Sequence, residues 1–150
     1  MTTRIVYNHA RPTTSRLEEL YRSVGWSTYL VPGRLDACLD GSLWFEAAWA
    51  VSTTLPTSSD GGSEPELVGL IRVVGDDASI AYVQDLLVKP DHQRRGIATR
   101  LMRDAFKRFA RVRQVVLLTD DTAASRAFYE SLGLVQVGSQ QCVSYLRLSN

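Results

Sequence analysis

The amino-acid sequence predicts a single α/β domain over residues 1–150. A chain of 150 residues suits one hydrophobic core, and its 45% hydrophobic and 22% charged residues are typical of a folded domain. Short apolar segments alternate along the chain with segments of helical periodicity. No internal repeat and no linker interrupts this order, so we expect one domain with helices and strands in alternation.

The composition argues against several classes of protein. A net charge of +1 gives no overall field that would favour nucleic acid or a membrane surface. No apolar run approaches the roughly 20 residues that span a bilayer, and the N-terminal MTTRIVYNHA lacks the apolar core of a signal peptide. We therefore expect a soluble, cytoplasmic protein.

The cysteines and histidines predict neither a disulfide framework nor a metal site. Cys38 and Cys142 lie far apart without C-x-x-C spacing, which indicates two buried, reduced thiols. His9 and His92 have no partners at metal-ligand spacing. No metal ion is therefore expected.

Periodicity defines the elements in the first two thirds of the chain. A capping box at Ser15–Glu18 precedes apolar residues at helical spacing, and Gly25 is expected to end that helix. The run Ile80–Val88 is apolar on both faces apart from Gln84 and Asp85, which indicates a central strand. The other predicted elements are strands over Thr3–Asn8, Leu43–Val51 and Leu67–Val74, a short helix over Leu35–Leu39, a turn over Gly75–Asp77 and a mobile loop over residues 53–66.

The last third is predicted to hold two helices and three strands. Apolar residues repeat every four positions from Ile97 to Phe109 opposite a basic face, which predicts an amphipathic helix of about four turns. A second helix is expected to begin at Asp120 or Asp121 and to run to about Leu132. Strands are predicted over Gln114–Leu118, Leu134–Val137 and Val143–Leu148.

The stretch DHQRRGIATRLM, residues 91–102, joins the central strand to the amphipathic helix. The first N–H groups of a helix are unpaired and carry about half a positive charge, so a helix start binds phosphate readily. Gly96 lets a ligand approach the backbone closely, and the small Ala98 keeps the first turn open. Arg94 and Arg95 add positive charge nearby. The pattern favours a pyrophosphate cradle, and a solvated basic helix start is the alternative.

Other nucleotide-binding and nucleic-acid-binding patterns are missing from the sequence. Neither G-x-x-x-x-G-K-[ST] nor G-x-G-x-x-G occurs. The basic run from Arg94 to Arg113 lies partly on a helix whose apolar face must be buried, and aromatic residues do not interleave with its charges for base stacking. We interpret this run as a solvated face and expect no nucleic-acid partner.

The segment Gln93–Ala98 (QRRGIA) resembles the Q/R-x-x-G-x-G/A signature of the GCN5-related N-acetyltransferases, the GNAT family. The K-P-D turn at Lys89–Asp91 and the later FYESLGL at Phe128–Leu134 match the family in order and spacing. The resemblance covers about residues 67–137. It implies an α/β (α+β) fold with a mixed, mostly antiparallel sheet flanked by helices, in which the predicted strands before and after the amphipathic helix run side by side and splay apart. Homodimers are common in the family, but the sequence indicates no interface.

The resemblance implies acetyl-coenzyme A (acetyl-CoA) as the co-substrate. Backbone groups of Leu87 and Val88 would pair with its pantetheine arm, and Phe128 would also contact it. The pyrophosphate would rest on the signature, namely Gln93, Arg94, Arg95, Gly96, Ile97, Ala98 and Thr99. Two positions depart from the family pattern. Ala98 replaces a glycine, which the family tolerates, and Thr122 replaces an asparagine that often touches the cofactor, so we expect Thr122 to cap a helix instead.

Acetyl transfer to an amine requires that the amine lose a proton, that the oxyanion be held and that the thiolate be protonated. An alkyl ammonium with a pKa near 10.4 needs about 3.4 pK units of help at pH 7, roughly 4.6 kcal/mol. Asp85, a carboxylate inside an apolar strand, is the candidate general base. The alternative is that it is a structural acceptor, or binds a cationic substrate without taking its proton. The resemblance implies Tyr129 as the acid beside the sulfur, or else a packed helix tyrosine, and the Val88 N–H as the oxyanion donor.

The resemblance implies that the connection after the first helix lines the acceptor site. Trp26 and Tyr29, with Tyr21 just behind, would form an apolar wall for the amine of a small molecule or peptide, and core aromatics are the alternative. The sequence thus predicts an acetyl-CoA-dependent N-acetyltransferase. A non-catalytic acyl-CoA sensor or regulatory module of the same fold is the alternative, and the presence of both Asp85 and Tyr129 argues against it.

Overall fold

The computed structural model describes residues 3–53 and 64–148. Contacts divide the chain into two compact units, Met1–Leu118 and Thr119–Asn150. The first unit contains strands β1 (Thr3–Asn8), β2 (Trp44–Ser52), β3 (Glu66–Gly75), β4 (Ile80–Val88) and β5 (Gln114–Leu117), and helices α1 (Thr14–Ser23), α2 (Arg34–Asp40) and α3 (Ile97–Arg108). Most of the predicted loop over 53–66 lies outside the described residues, and the single domain over 1–150 stays a prediction.

The five strands form one mixed sheet in the order β1-β2-β3-β4-β5. All neighbours are antiparallel except β4 and β5, which are parallel. Strand β4 lies between β3 and β5, which confirms the central position that its apolar faces predict. The pairing with β5 ends at Val83 and Leu117, whereas β4 continues to Val88. The backbone of β4 is therefore free of β5 over its last residues, as the predicted splay requires.

The helices cover the two faces of the sheet. One core cluster joins α1 and α2 to the sheet and consists of Leu17, Leu20, Tyr21, Leu35, Leu39, Ala47, Leu67, Leu70 and Leu87. Helix α3 packs on the other face, where Ile97 lies against Gly69, the neighbour of Leu70 in β3. Successive residues of a strand point to opposite faces, so these two contacts place α1 and α3 on opposite sides. The predicted sheet flanked by helices is confirmed.

Helix α1 begins two residues earlier than predicted. Thr13, not Ser15, is the N-cap: its backbone is extended, and its hydroxyl accepts the N–H of Arg16 at 3.4 Å. Ser15 already lies inside the first turn, so the Ser15–Glu18 capping box is wrong. Gly25 follows the helix with a positive φ of 77°, which confirms it as the stop.

The second unit contains α4 (Ala123–Ser131) and a 3-10 turn over Val137–Gln140. Thr122 caps α4 by accepting the N–H of Ser125 at 3.1 Å, so capping by Thr122 is confirmed and capping by Asp120 or Asp121 is wrong.

The predicted strands over Leu134–Val137 and Val143–Leu148 are also wrong. The described part of the second unit has no strand, and Tyr145 is 93% exposed. An apolar pattern indicates a strand only where a neighbouring backbone completes the ladder.

The two cysteines carry free thiols, as predicted, but they are not buried. Cys38 is half-buried on α2, and Cys142 is exposed in the irregular C-terminal segment. The expectation of burial rests on the residue type alone, since free cysteine is among the most often buried residues. Among the described helices, none is long and apolar enough to cross a membrane.

Candidate active site

A buried ion pair joins the two central strands. Asp85 of β4 lies opposite Arg72 of β3, and the Arg72 Nε donates to the Asp85 Oδ2 at 2.6 Å. Asp85 is 1% exposed and Arg72 is 6% exposed. Burial by itself would lower the pKa of the guanidinium, but the charge and hydrogen bond of Asp85 raise that pKa overall. The guanidinium is therefore held in its charged form.

A β-bulge decides which residues form this pair. Near the turn, Val73 pairs with Val83. One residue further from the turn, Arg72 of β3 pairs with Asp85. Gln84 is thus the extra residue on β4. In a regular hairpin Arg72 would lie opposite Gln84, so the bulge brings the carboxylate to the guanidinium and leaves Gln84 exposed beside it.

Two tyrosine hydroxyls complete the surroundings of the carboxylate. Tyr21 of α1 donates to Oδ2 of Asp85 at 2.7 Å, and Tyr29 donates to Oδ1 at 2.7 Å. Burial, and then the adjacent Asp85, raises the pKa of both phenols, so both stay protonated at neutral pH. Asp85 therefore receives three hydrogen bonds, one of them from a cation. Tyr21 is 1% exposed, whereas Tyr29 is only half-buried.

The turn after α1 positions Trp26 and Tyr29. The N–H of Trp26 donates to the carbonyl of Tyr21, and the N–H of Gly25 donates to the carbonyl of Arg22, each at 3.0 Å. These are the two bonds of a Schellman motif, which folds the chain back over the helix end. The Trp26 ring lies 6.0 Å from the Tyr21 ring and stacks on Tyr29 at a centroid distance of 6.0 Å.

The aromatic turn and the bulge of β4 line an open surface cavity of about 330 Å³. Its walls are Gly25, Trp26, Ser27, Thr28, Tyr29, Gln84 and Asp85. The structure thus brings the predicted acceptor residues Trp26 and Tyr29 next to Asp85. Sequence reasoning missed Arg72 and Gln84. An arginine inside the apolar run LVGLIRVV was a usable signal, since a buried guanidinium needs a buried acid as its partner.

The loop before α3 has the backbone of an anion site. Arg94 and Gly96 both have left-handed backbones, with φ of 60° and 79°. Turns of this kind direct successive N–H groups into one concavity. Gly96 caps α3 without a side-chain hydrogen bond, and a Cβ placed on it would meet nothing within 4 Å. The start of α3 is therefore open, and the exposed Arg94 and Arg95 lie beside it.

The end of β4 presents free backbone groups toward the gap left by β5. The N–H of Lys89 donates to the carbonyl of Val68 at 2.8 Å, so Lys89 faces β3. Backbone groups alternate in direction along a strand, and those of Val88 therefore point away from β3. The Gln93 side chain donates to the Val88 carbonyl at 3.0 Å. By the same alternation, the backbone of Leu87 faces β3.

Lys89 ties the turn after β4 to its surroundings. Its buried ammonium forms ion pairs with Glu19 of α1 and with Glu66 at the start of β3, the latter at 2.6 Å. Burial would lower the pKa of Lys89, but the hydrogen bonds to these two carboxylates raise it overall. The backbone that leads into the anion site is thus held from two sides.

Phe128 and Tyr129 lie on α4 in the second unit. Their rings pack edge to face with centroids 4.9 Å apart, and both side chains are half-buried. Burial raises the pKa of Tyr129, while a hydrogen bond with Thr119 acts in the opposite direction. The phenol therefore stays protonated at neutral pH. No group of three or more potential ligands that could hold a metal ion occurs among residues 3–53 and 64–148.

Comparison with known proteins decides the family. A model described as an acetyltransferase (GNAT) domain matches residues 62–150. The chain belongs to the GNAT family. A curated relative, the uncharacterized N-acetyltransferase ycf52-like of Prochlorococcus marinus, is 30% identical over 119 residues. The match covers 78% of this chain and 59% of that protein, so the chain spans less than two thirds of the relative's length.

Solved structures share the GNAT fold over the whole chain. A GNAT family acetyltransferase from Streptococcus pneumoniae TIGR4 has a TM-score of 0.76 and 30% identity, covering 99% of this chain and 98% of its own. An aminoglycoside acetyltransferase from an uncultured soil metagenomic sample, in complex with sisomicin, has a TM-score of 0.61 and 17% identity, covering 99% and 97%. The second likeness concerns the fold alone.

Proposed function

We propose that this GNAT protein transfers the acetyl group of acetyl-CoA directly to the primary amine of a small molecule or peptide. The observation that carries the proposal is the open, uncapped start of α3, beside the Val88 N–H at the end of β4, which points away from β3. These two separate sets of N–H donors suit a ligand with a pyrophosphate and an amide arm.

The residues present fit acetyl-CoA. The N–H groups of Ile97, Ala98 and Thr99 are those that a helix start leaves without intrahelical partners. With the charges of Arg94 and Arg95, they suit a pyrophosphate. Val88 and, by alternation, Leu86 would pair with the pantetheine amides. The Gln93 amide, by binding the Val88 carbonyl, would orient that edge rather than contact phosphate.

Each step of the transfer has a residue proposed for it. Acetyl-CoA supplies an activated acetyl thioester. The Val88 N–H would donate a hydrogen bond to the acetyl oxygen and so stabilise the negative charge that develops there. Tyr129 would protonate the departing thiolate, a transfer that is uphill by about 2 kcal/mol for an ordinary phenol and somewhat more once burial raises the pKa of Tyr129. Asp85 would take the proton of the amine, and Trp26 and Tyr29 would line the acceptor site beside it.

A calorimetric titration with acetyl-CoA tests the binding half of the proposal. We expect one-to-one binding that is lost in Gly96→Trp, because the indole would fill the open space at the start of α3. Gly33→Trp is the matched control, since Gly33 also caps a helix, has a φ of 75° and has open space around it. Loss of acetyl-CoA binding in both variants, or in neither, would show that the start of α3 is not the binding site.

A second candidate is an acyl-CoA sensor without turnover. It is favoured by the three hydrogen bonds to Asp85, which occupy the carboxylate that turnover would need. Release of free thiol on addition of amines separates the two candidates, because a sensor would bind acetyl-CoA and release none. A cytoplasmic location is also proposed, supported by the free thiols of Cys38 and Cys142. A homodimer stays a prediction.

A further inference from the structure

We infer that the Tyr29 hydroxyl receives the ammonium N–H of the acceptor and relays its proton to Asp85. The inference rests on the acetyl transfer proposed above and assigns the polar contact at which the acceptor enters. It gives Tyr29 a role beyond that of an apolar wall.

Asp85 is too enclosed to take a proton directly. It is 1% exposed, and its Oδ2 already accepts hydrogen bonds from Arg72 and Tyr21. Its Oδ1 accepts the hydroxyl of Tyr29 at 2.7 Å. Asp85 also borders the cavity, but its side chain is 0% exposed, whereas Tyr29 is half-buried and its hydroxyl binds Oδ1, so we place that hydroxyl between the carboxylate and the cavity. An amine in the cavity therefore reaches Oδ1 through Tyr29.

The hydrogen-bond directions determine whether the Tyr29 hydroxyl donates to or accepts from a group in the cavity. A carboxylate accepts only, so Tyr29 must donate its single proton to Asp85. Its oxygen then has two lone pairs to accept with, and the Gln84 Nε2 donates to it at 3.3 Å. The oxygen retains capacity for one more donor. It thus presents an acceptor to the cavity, which matches the ammonium N–H of a primary amine.

The transfer balances without any further reactant. The N–H bond of the ammonium breaks and its proton joins the Tyr29 oxygen. At the same time the former O–H bond of Tyr29 breaks, and that proton joins the Asp85 Oδ1. The products are a neutral amine, a neutral phenol and a neutral carboxylic acid, and nothing is oxidised or reduced. Arg72 keeps its charge and its place on Oδ2.

The groups around Tyr29 support a relay rather than ionisation of the phenol itself. They are Gln84 and Asp85 on β4, Arg72 on β3 and Tyr21 on α1, and Cys38 of α2 lies beyond Arg72. Burial and the hydrogen bond to Asp85 raise the pKa of Tyr29, while the hydrogen bond with Gln84 and, more weakly, the charge of Arg72 lower it. A phenolate at this position is therefore unfavourable, and the proton must pass on to the carboxylate.

The test compares Tyr29→Phe with Tyr21→Phe on two kinds of amine. Both hydroxyls donate to the same carboxylate at 2.7 Å, but only that of Tyr29 lies on the proposed route. The amines are an alkylamine, protonated at pH 7, and an aniline, which is already neutral. The measurement is kcat/KM for each amine from pH 7 to pH 10, with acetyl-CoA affinity and thermal melting as checks on folding.

We expect Tyr29→Phe to lower kcat/KM for the alkylamine by about 10²-fold at pH 7, in the range of general base catalysis. The loss for the aniline should be a few-fold at most, and the alkylamine loss should shrink as the pH approaches the amine pKa of about 10.4. Tyr21→Phe should leave the ratio of the two amines near that of the wild type.

Equal losses for both amines in Tyr29→Phe, or the same change of ratio in both variants, would overturn the relay while leaving acetyl transfer intact. A wild-type protein that does not bind acetyl-CoA, or binds it without acetylating either amine, would instead overturn the proposed function, and the relay with it. If Tyr29→Phe melts early or loses acetyl-CoA, the pH profile and solvent isotope effect of the wild type decide. The relay would be refuted if the wild-type kcat/KM showed no inflection at any pH below the amine pKa and no solvent isotope effect.

Discussion

Gly69 of β3 lies directly against Ile97, the first residue of α3. A Cβ placed on Gly69 would stand 3.1 Å from the Cγ2 of Ile97 and 3.3 Å from the Cβ of Ala48. It would also stand 3.4 Å from the carbonyl oxygen of Leu87. The absence of a side chain at Gly69 therefore sets how closely the start of α3 approaches the sheet, and with it the position of the proposed pyrophosphate site.

A side chain at position 69 should displace that site. Gly69→Val is expected to cost about 1–3 kcal/mol of unfolding free energy through overpacking and to weaken acetyl-CoA binding. Urea unfolding and calorimetry measure the two effects. In a double-mutant cycle, Gly69→Ala should cost less when Ile97 is also changed to Ala, because the contact that it strains is gone. If the losses of unfolding free energy from the two substitutions were strictly additive, the side chain of Ile97 would not interact with position 69.

The unfolding free energy should fall much more when the buried Arg72–Asp85 pair loses one charge than when it loses both. Arg72→Met leaves the Asp85 carboxylate buried without its cation, and we expect a loss of about 3–5 kcal/mol in unfolding free energy. Adding Asp85→Asn should recover part of that loss because it removes the uncompensated charge, and only part because the two tyrosine hydroxyls bind different carboxylate oxygens and the amide keeps one of them. Chemical denaturation of both variants checks this. A double variant less stable than Arg72→Met would contradict it.

Tyr129 should contribute to turnover and not to cofactor affinity. We expect Tyr129→Phe to lower kcat by about 10²-fold with an unchanged Kd for acetyl-CoA. Because burial raises the pKa of Tyr129 above its ordinary value of 10.0, kcat should not fall with rising pH below about pH 10 on account of this residue. Tyr145→Phe is the control, since Tyr145 lies in the same unit and is 93% exposed. If the two variants had similar kcat values, Tyr129 would not be the general acid.

Glu46 of β2 should destabilise the fold near neutral pH. It is 7% exposed, and within the described chain its Oε2 has no hydrogen-bond partner. Burial, followed by the charge of Asp104, raises its pKa above the ordinary value of 4.5, against smaller opposing effects of His9 and Arg100. A pKa that is higher in the folded state gives stability at low pH, and this stability is lost as the pH rises through the folded pKa.

Glu46→Gln should therefore raise the unfolding free energy by about 1 kcal/mol at pH 7.5, because an uncharged side chain is easier to bury. The gain should be smaller at pH 5. Urea unfolding at the two pH values measures it, with the exposed Glu130→Gln as the control. A gain that is the same at both pH values would assign the effect to packing instead of charge.

Local patterns predicted most of the fold, and failed where a partner distant in sequence was needed. Periodicity predicted α1, α3 and the central β4, since burial of one or both faces is written into the order of apolar residues. The run Val143–Leu148 carries a similar strand-like pattern, yet no strand forms there, because the pattern does not specify a neighbouring backbone. The sequence favours Ser15 over Thr13 as the N-cap, because Ser15 and Glu18 match the capping-box pattern.

The sequence by itself determined the family signature, the glycine and arginines of the α3 start, and the cluster of aromatic residues after the first helix. Tertiary structure alone decided what surrounds Asp85. A single extra residue on β4 pairs Arg72 with Asp85 instead of Gln84, and the end of α1 brings Tyr21 and Tyr29 onto the carboxylate. A shift of one residue changes every cross-strand pair, and the contacts of a bulge lie too far apart along the chain for any local pattern to encode them.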